Sequence, residues 1–101
     1  MASHRILFTG DDCRLPRLLR EALKPLDCAV IRCPDERGAR TFIRSEIKYS
    51  LLIFEDELPA SAELERFARA QAHRASTPVV VYNKDEGFDS LVEAVRRLLG
   101  G

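Results

Sequence analysis

Tryptophan is absent, methionine occurs once, and cysteine occurs three times among 101 residues. Three thiols are an odd number, and none forms a Cys-x-x-Cys pair. Neither a disulfide framework nor a cysteine-rich zinc site is therefore written into the chain. Cys13, Cys28 and Cys33 read as small apolar side chains of a protein kept reduced. No apolar stretch approaches the roughly 18 residues of a membrane span. The run Ile6 to Phe8 is too short for the apolar core of a signal peptide. The expected location is thus the cytosol, with no membrane partner. Neither sign of charge is in excess, since 16 Lys and Arg face 16 Asp and Glu. Without a basic excess or stripe, no nucleic-acid partner is expected. The loops also lack a glycine-rich phosphate cradle, which disfavours a small nucleotide-binding enzyme.

What is present is a regular alternation. Hydrophobic residues make up 46% of the chain, enough for a single α/β domain over 1–101 that buries roughly 60–70% of its unfolded surface. Arg5-Ile6-Leu7-Phe8-Thr9 is a short apolar run halted by Gly10, the pattern of a buried strand. Asp11-Asp12 opens a helix with Pro16 near its first turn and Leu15, Leu18, Leu19, Ala22, Leu23 and Leu26 at helical spacing. Pro25 ends or kinks it near Lys24. Cys28 to Cys33 forms a second strand, and Arg32 within it suggests a sheet edge. Cys28 and Cys33, five apart, point to opposite faces. Ala39, Phe42, Ile43 and Ile47 mark the buried stripe of a second helix.

Leu51-Leu52-Ile53-Phe54 has the continuous apolar character of a central strand covered on both faces. A third helix is expected from Ser61 to His73, with Leu64, Phe67, Ala68 and Ala72 inward. Pro78 to Tyr82 reads as a fourth strand, with proline acceptable at its start. After the polar turn Asn83 to Gly87, Asp89 or Ser90 caps a last helix carrying Leu91, Val92, Val95, Leu98 and Leu99. The order βαβαβαβα implies a parallel sheet with helices on both faces, and ligands beyond the carboxyl ends of its strands.

Acidic residues gather at those ends. Asp11 and Asp12 follow the first strand; Glu55, Asp56 and Glu57 follow the third. If the two strands are neighbours, several of these carboxylates share one pocket, where they would serve a hard cation such as Mg²⁺ or raise one another's pKa. The plain alternative is a set of exposed loop and cap residues. His4 and His73 read as surface residues.

Together the segments resemble the receiver domain of bacterial response regulators. Arg5 to Asp12 resembles the family's first strand and the acids after it. Tyr49-Ser50-Leu51-Leu52-Ile53-Phe54-Glu55, with Pro59 four residues beyond Glu55, resembles the strand that ends at the phosphoacceptor aspartate. Thr77 to Asn83 resembles the strand that ends at the switch threonine or serine. The resemblance implies a flavodoxin-like, doubly wound parallel sheet of order 2-1-3-4. It also implies that the usual fourth helix and fifth strand are missing, because Lys84 leads through a short turn into the last helix.

The departures from the family pattern bear on function. Glu55 takes the phosphoacceptor-equivalent position. Gly10 stands where the first acid is expected and Asp11 takes the place of the second. Asn83 replaces the switch hydroxyl. A glutamate displaces its carboxylate by roughly an ångström, enough to cost about a hundredfold in rate. The asparagine amide donates hydrogen bonds but has no hydroxyl to rotate toward a phosphate. Asp11 and Glu55 remain as a weak metal pair if Mg²⁺ is retained; otherwise no cofactor is expected. Lys84 reads as a solvated turn lysine, with a stand-in for the family's missing lysine as the alternative. Asp56 becomes the acceptor only after a one-residue slip that turns it to the other side of the strand. Glu55 is open to two readings, a built-in phosphate mimic or drift after a lost switch.

With the fifth strand gone, strand four becomes an edge, and Val79, Val81 and Tyr82 form a candidate interface for a homodimer unless the last helix covers it. Whether that helix does so or packs beside the first stays open. The expectation is thus a non-enzymatic, phosphorylation-independent receiver-like module that binds or pairs with signalling proteins. The alternative is an unusual single-domain phosphoacceptor using an acidic pocket of Asp11, Asp12 and either Glu55 or Asp56 around Mg²⁺.

Overall fold

Four apolar segments become strands: β1 (His4–Thr9), β2 (Cys28–Cys33), β3 (Leu51–Glu55) and β4 (Val79–Tyr82). Four helices alternate with them: α1 (Leu15–Ala22), α2 (Glu36–Arg44), α3 (Ser61–Ala70) and α4 (Phe88–Gly100). The computed structural model describes residues 4–56 and 61–100. The expectations placed on Glu57 and Pro59 lie outside them.

All strand pairs are parallel, and the sheet order is β2-β1-β3-β4. β3 is buried along its whole length, as its unbroken apolar run requires when helices cover both faces. Alternation of side chains divides the core in two. Ile6, Phe8, Leu51, Ile53 and Tyr82 pack under α1 and α4. Leu7, Leu52 and Phe54 pack under α2 and α3. Cys28 belongs to the first layer and Cys33 to the second, and desolvation raises the pKa of both thiols.

The last helix packs beside α1, where Leu91, Val92 and Val95 meet Leu15, Leu19 and Leu23 and Arg96 donates to the carbonyl of Ala22 at 3.1 Å. Five residues, Asn83 to Gly87, separate β4 from α4, and the 3₁₀ turn Lys84–Glu86 is the one element among them. The family's fourth helix and fifth strand have no counterpart there.

Several boundaries differ from the sequence expectation. α1 starts at Leu15, not at the aspartates, because Asp12 accepts from the Arg14 N–H at 3.0 Å and forms a side-chain turn ahead of the helix. It ends at Ala22, and Pro25 falls in a separate 3₁₀ turn. α2 is capped by Asp35, whose carboxylate accepts from Gly38 N–H at 2.8 Å, and it stops at Arg44. Ile47 is therefore beyond it and exposed. α3 stops at Ala70, which leaves Ala72 exposed in a 3₁₀ turn. α4 starts at Phe88, so Asp89 and Ser90 lie inside its first turn, and Leu98 is on its exposed side.

Candidate functional site

Parallel pairing brings the carboxyl ends of β1 and β3 together. Thr9 is registered with Phe54, so Gly10 and Glu55, one residue further on, emerge side by side. The Glu55 side chain is only 3% exposed. Its Oε2 accepts a hydrogen bond from the Asp11 N–H at 2.8 Å. Its Oε1 lies 3.1 Å from Lys84 Nζ, an ion pair without the alignment of a directed hydrogen bond. The glutamate thus folds back over the β1 end and spans from the loop after β1 to the turn after β4.

Gly10 makes this possible. Any Cβ there would fall on Glu55 Oε2, and it would sit 2.8 Å from Phe8 Cζ and 2.9 Å from Glu55 Cβ. The glycine does not have the positive φ that makes glycine necessary at Gly87. Its role is to leave space. The Glu55 carboxylate therefore occupies the space that a side chain at position 10 would take.

The other acids do not converge on that carboxylate. Asp11 contributes its backbone N–H, while its side chain is exposed. Asp12 turns back toward Arg14, with 3.9 Å between its carboxylate and Arg14 Nε. Asp56 is exposed, one strand position past Glu55, as side-chain alternation requires. Asn83 spends its side-chain oxygen on the Asp85 N–H at 2.9 Å and so shapes the turn that carries Lys84. Lys84 is 45% exposed on its side chain and yet pairs with a buried carboxylate. It is not a purely solvated turn residue.

Arg32 marks the sheet edge, where β2 lies. It also reaches across the end of β1. Its Nε donates to the Gly10 carbonyl and its Nη2 to the Asp11 carbonyl, both at 3.2 Å. The guanidinium clamps the loop that presents the Asp11 N–H to Glu55. A signal for this was available: an arginine near the carboxyl end of an edge strand beside β1 can reach the loop that leaves β1.

These residues do not fit a hard divalent cation. One Glu55 oxygen is occupied by an N–H and the other faces an ammonium, whereas a hard cation takes several oxygen ligands. Gly10 offers no carboxylate, and among the described residues no group of three or more His, Cys, Asp or Glu side chains is placed to hold a metal. The expected metal pair of Asp11 and Glu55 meets through a backbone N–H, not through two carboxylates.

The three strand-four residues also separate. Tyr82 is 8% exposed and its side chain lies in the α1–α4 core layer, so it offers a partner only its backbone. Its alternation with Val81 explains this, since neighbours on a strand face opposite sides. Val79 packs partly against the α2–α3 layer, and Val81 is 40% exposed.

No family model and no curated protein matches the chain. Solved structures do. The receiver domain of a sensor histidine kinase from Pseudomonas aeruginosa, with a magnesium ion coordinated in its active-site cleft, superposes with a TM-score of 0.75 at 18% identity, over 99% of this chain and 100% of that one. A response regulator from Hahella chejuensis gives 0.74 at 18% identity, over 97% and 93%. The response regulator TrrA from Thermotoga maritima, in complex with Mg²⁺ and BeF, gives 0.63 at 24% identity, over 95% and 99%. The chain has the receiver-domain fold of response regulators.

Proposed function

We propose that the chain is a receiver-like protein-interaction module of bacterial two-component-type signalling that works without being phosphorylated and performs no catalysis. The observation that carries this reading is the Glu55 carboxylate, buried over Gly10, bonded to the Asp11 N–H at 2.8 Å and paired with Lys84 at 3.1 Å. In receivers, a phosphoryl group on an aspartate is what gathers a lysine and a hydroxyl. Here the side chain at that position already holds a lysine. Lys84 stands in the turn that runs into α4, so the pair ties the end of β3 to the start of α4 without a phosphoryl group. This favours Glu55 as a built-in mimic over Glu55 as drift.

The output then passes to another protein. The balanced charge of the chain supports this, since a nucleic-acid binder usually shows a basic excess or stripe. The β4 edge is the second element of the reading. Among the described residues no strand pairs with its outer side, and such an edge favours strand addition, including by a second copy of the chain.

The test is the intact mass after incubation with a small-molecule phosphoryl donor, with and without Mg²⁺, beside a full receiver that labels under the same conditions. No added phosphoryl group is expected. A Mg²⁺-dependent gain of one, lost on Asp11→Asn or Asp56→Asn, overturns the reading and makes the chain a phosphoacceptor switch.

A further inference from the structure

At the opposite end of the sheet from Glu55, a cavity of about 570 Å³ opens beside the C-terminus of α2, the segment entering β3 and the turn after α3. Its volume is in the range of sites that take small molecules, roughly 300–1,000 Å³. Arg44, Lys48, His73 and Arg74 line it, against a single acid, Glu46. None of those four basic side chains has a carboxylate partner among the described residues.

Arg74 is the built part of this site. It is 2% exposed, its Nε donates to the Ile43 carbonyl at 3.0 Å, and its Nη2 donates to the carbonyls of Phe42 and Ser45 at 3.3 and 2.9 Å. Its guanidinium is stacked over the Tyr49 ring, 4.8 Å from the centroid. Nη1 donates to none of these carbonyls. A buried guanidinium held by neutral carbonyls keeps its full charge, and burial makes that charge costly to carry, which lowers its pKa. His73 turns Nε2 to the Ser45 carbonyl at 2.8 Å, which leaves its other ring nitrogen unspent. Arg44 lies over Phe67 at 5.4 Å, and Lys48 is exposed. The positive charge is thus fixed at the cavity wall by Arg74 and mobile at its rim. The groove beside α1 differs, because Arg17, Arg20 and Lys24 are interleaved there with Glu21 and Asp27.

We infer that this cavity binds a small soluble polyanion carrying two or more phosphate groups, with Arg74 as the fixed contact and Arg44 and Lys48 closing on the ligand from the rim. A single carboxylate would leave most of the lining charge unmatched. A guanidinium with a free edge also suits phosphate oxygens, and its weak hydration lets it meet them without a large desolvation cost. The site is separate from the Glu55 carboxylate, so the inference stands or falls independently of the function proposed above.

The test is calorimetric titration of the full chain with inorganic pyrophosphate at low and high salt, beside citrate and an acidic peptide. Saturable binding of pyrophosphate is expected, weaker at high salt and stronger than either comparator. Arg44→Gln with Lys48→Gln should weaken it about tenfold or more, as loss of two charge-assisted contacts requires. Arg17→Gln with Arg20→Gln should leave it unchanged. Four results would each overturn the inference: no saturable binding in the millimolar range, an equal loss from both pairs of substitutions, tighter binding of citrate, or tighter binding of the acidic peptide.

Discussion

Replacing Gly10 by alanine separates the space-filling account of this site from a purely conformational one. Position 10 has no positive φ, so a methyl group there would ordinarily stabilise by about 0.4–1 kcal/mol through the unfolded chain. The packing predicts the opposite sign. The new Cβ would collide with Glu55 Oε2 and press on Phe8 Cζ at 2.8 Å and Glu55 Cβ at 2.9 Å. Phe8 is fully buried and Glu55 is 3% exposed on its side chain, so neither can simply swing into solvent. A loss of about 2–3 kcal/mol is expected, as for other overpacked cores, which lowers Tm by roughly 8–24 °C for a domain of this length. In a Glu55→Ala background the nearest collision is gone and the other two remain. The same substitution should then cost about 1 kcal/mol or less, a coupling of about 1–2 kcal/mol between positions 10 and 55. Urea denaturation of the wild type, the two single variants and the double variant closes the cycle. If Gly10→Ala is neutral or stabilising in the wild type, or if the two changes are additive within about 0.5 kcal/mol, the exchange of space between Gly10 and Glu55 is wrong.

Arg74→Met should destabilise by about 2–4 kcal/mol in thermal or denaturant unfolding, because the carbonyls of Ile43 and Ser45 at the α2 end lose a charged donor inside the protein; a change under about 0.5 kcal/mol would mean the arginine is not holding that helix end. Val81→Lys places a charge on the exposed face of the edge strand, and it should convert any β4-mediated dimer to monomer in light scattering after size exclusion while leaving Tm nearly unchanged. A wild-type chain that is monomeric at every accessible concentration would remove the homodimer part of the proposed function.

The sheet was legible because its strands are short apolar runs bounded by Gly10, Pro34 and the acids after Phe54, and because their alternation with helical patterns leaves few topologies open. Helix ends were less legible. Ile47 and Leu98 continue an apolar periodicity past the point where it is buried, since periodicity records spacing but not where a partner surface stops. The burial of Tyr82 was illegible for a related reason. An edge strand exposes its backbone on one side, but its side chains still alternate between faces, and the Tyr82 face is covered by α1 and α4.

The site was legible residue by residue and illegible as a whole. Set against the receiver pattern one position at a time, Gly10 and Asn83 read as losses, Glu55 as a mimic or drift, and Lys84 as a solvated turn lysine or a stand-in. The register of β1 against β3, and the short turn that brings Lys84 back over β3, bring these positions together. The missing carboxylate at position 10 makes room for the longer one at position 55. Asn83 folds the turn that delivers Lys84, by accepting from the Asp85 N–H. The cation beside Glu55 comes from the turn after β4. Random decay would be expected to leave Glu55 unpaired or pushed toward solvent, since a buried carboxylate without partners is costly. A carboxylate that is instead bonded to a backbone N–H and paired with a lysine is the arrangement expected if the altered positions were kept as a set. The coupling between positions 10 and 55 is therefore the measurement that bears most directly on whether this end of the sheet is a decayed site or a rebuilt one.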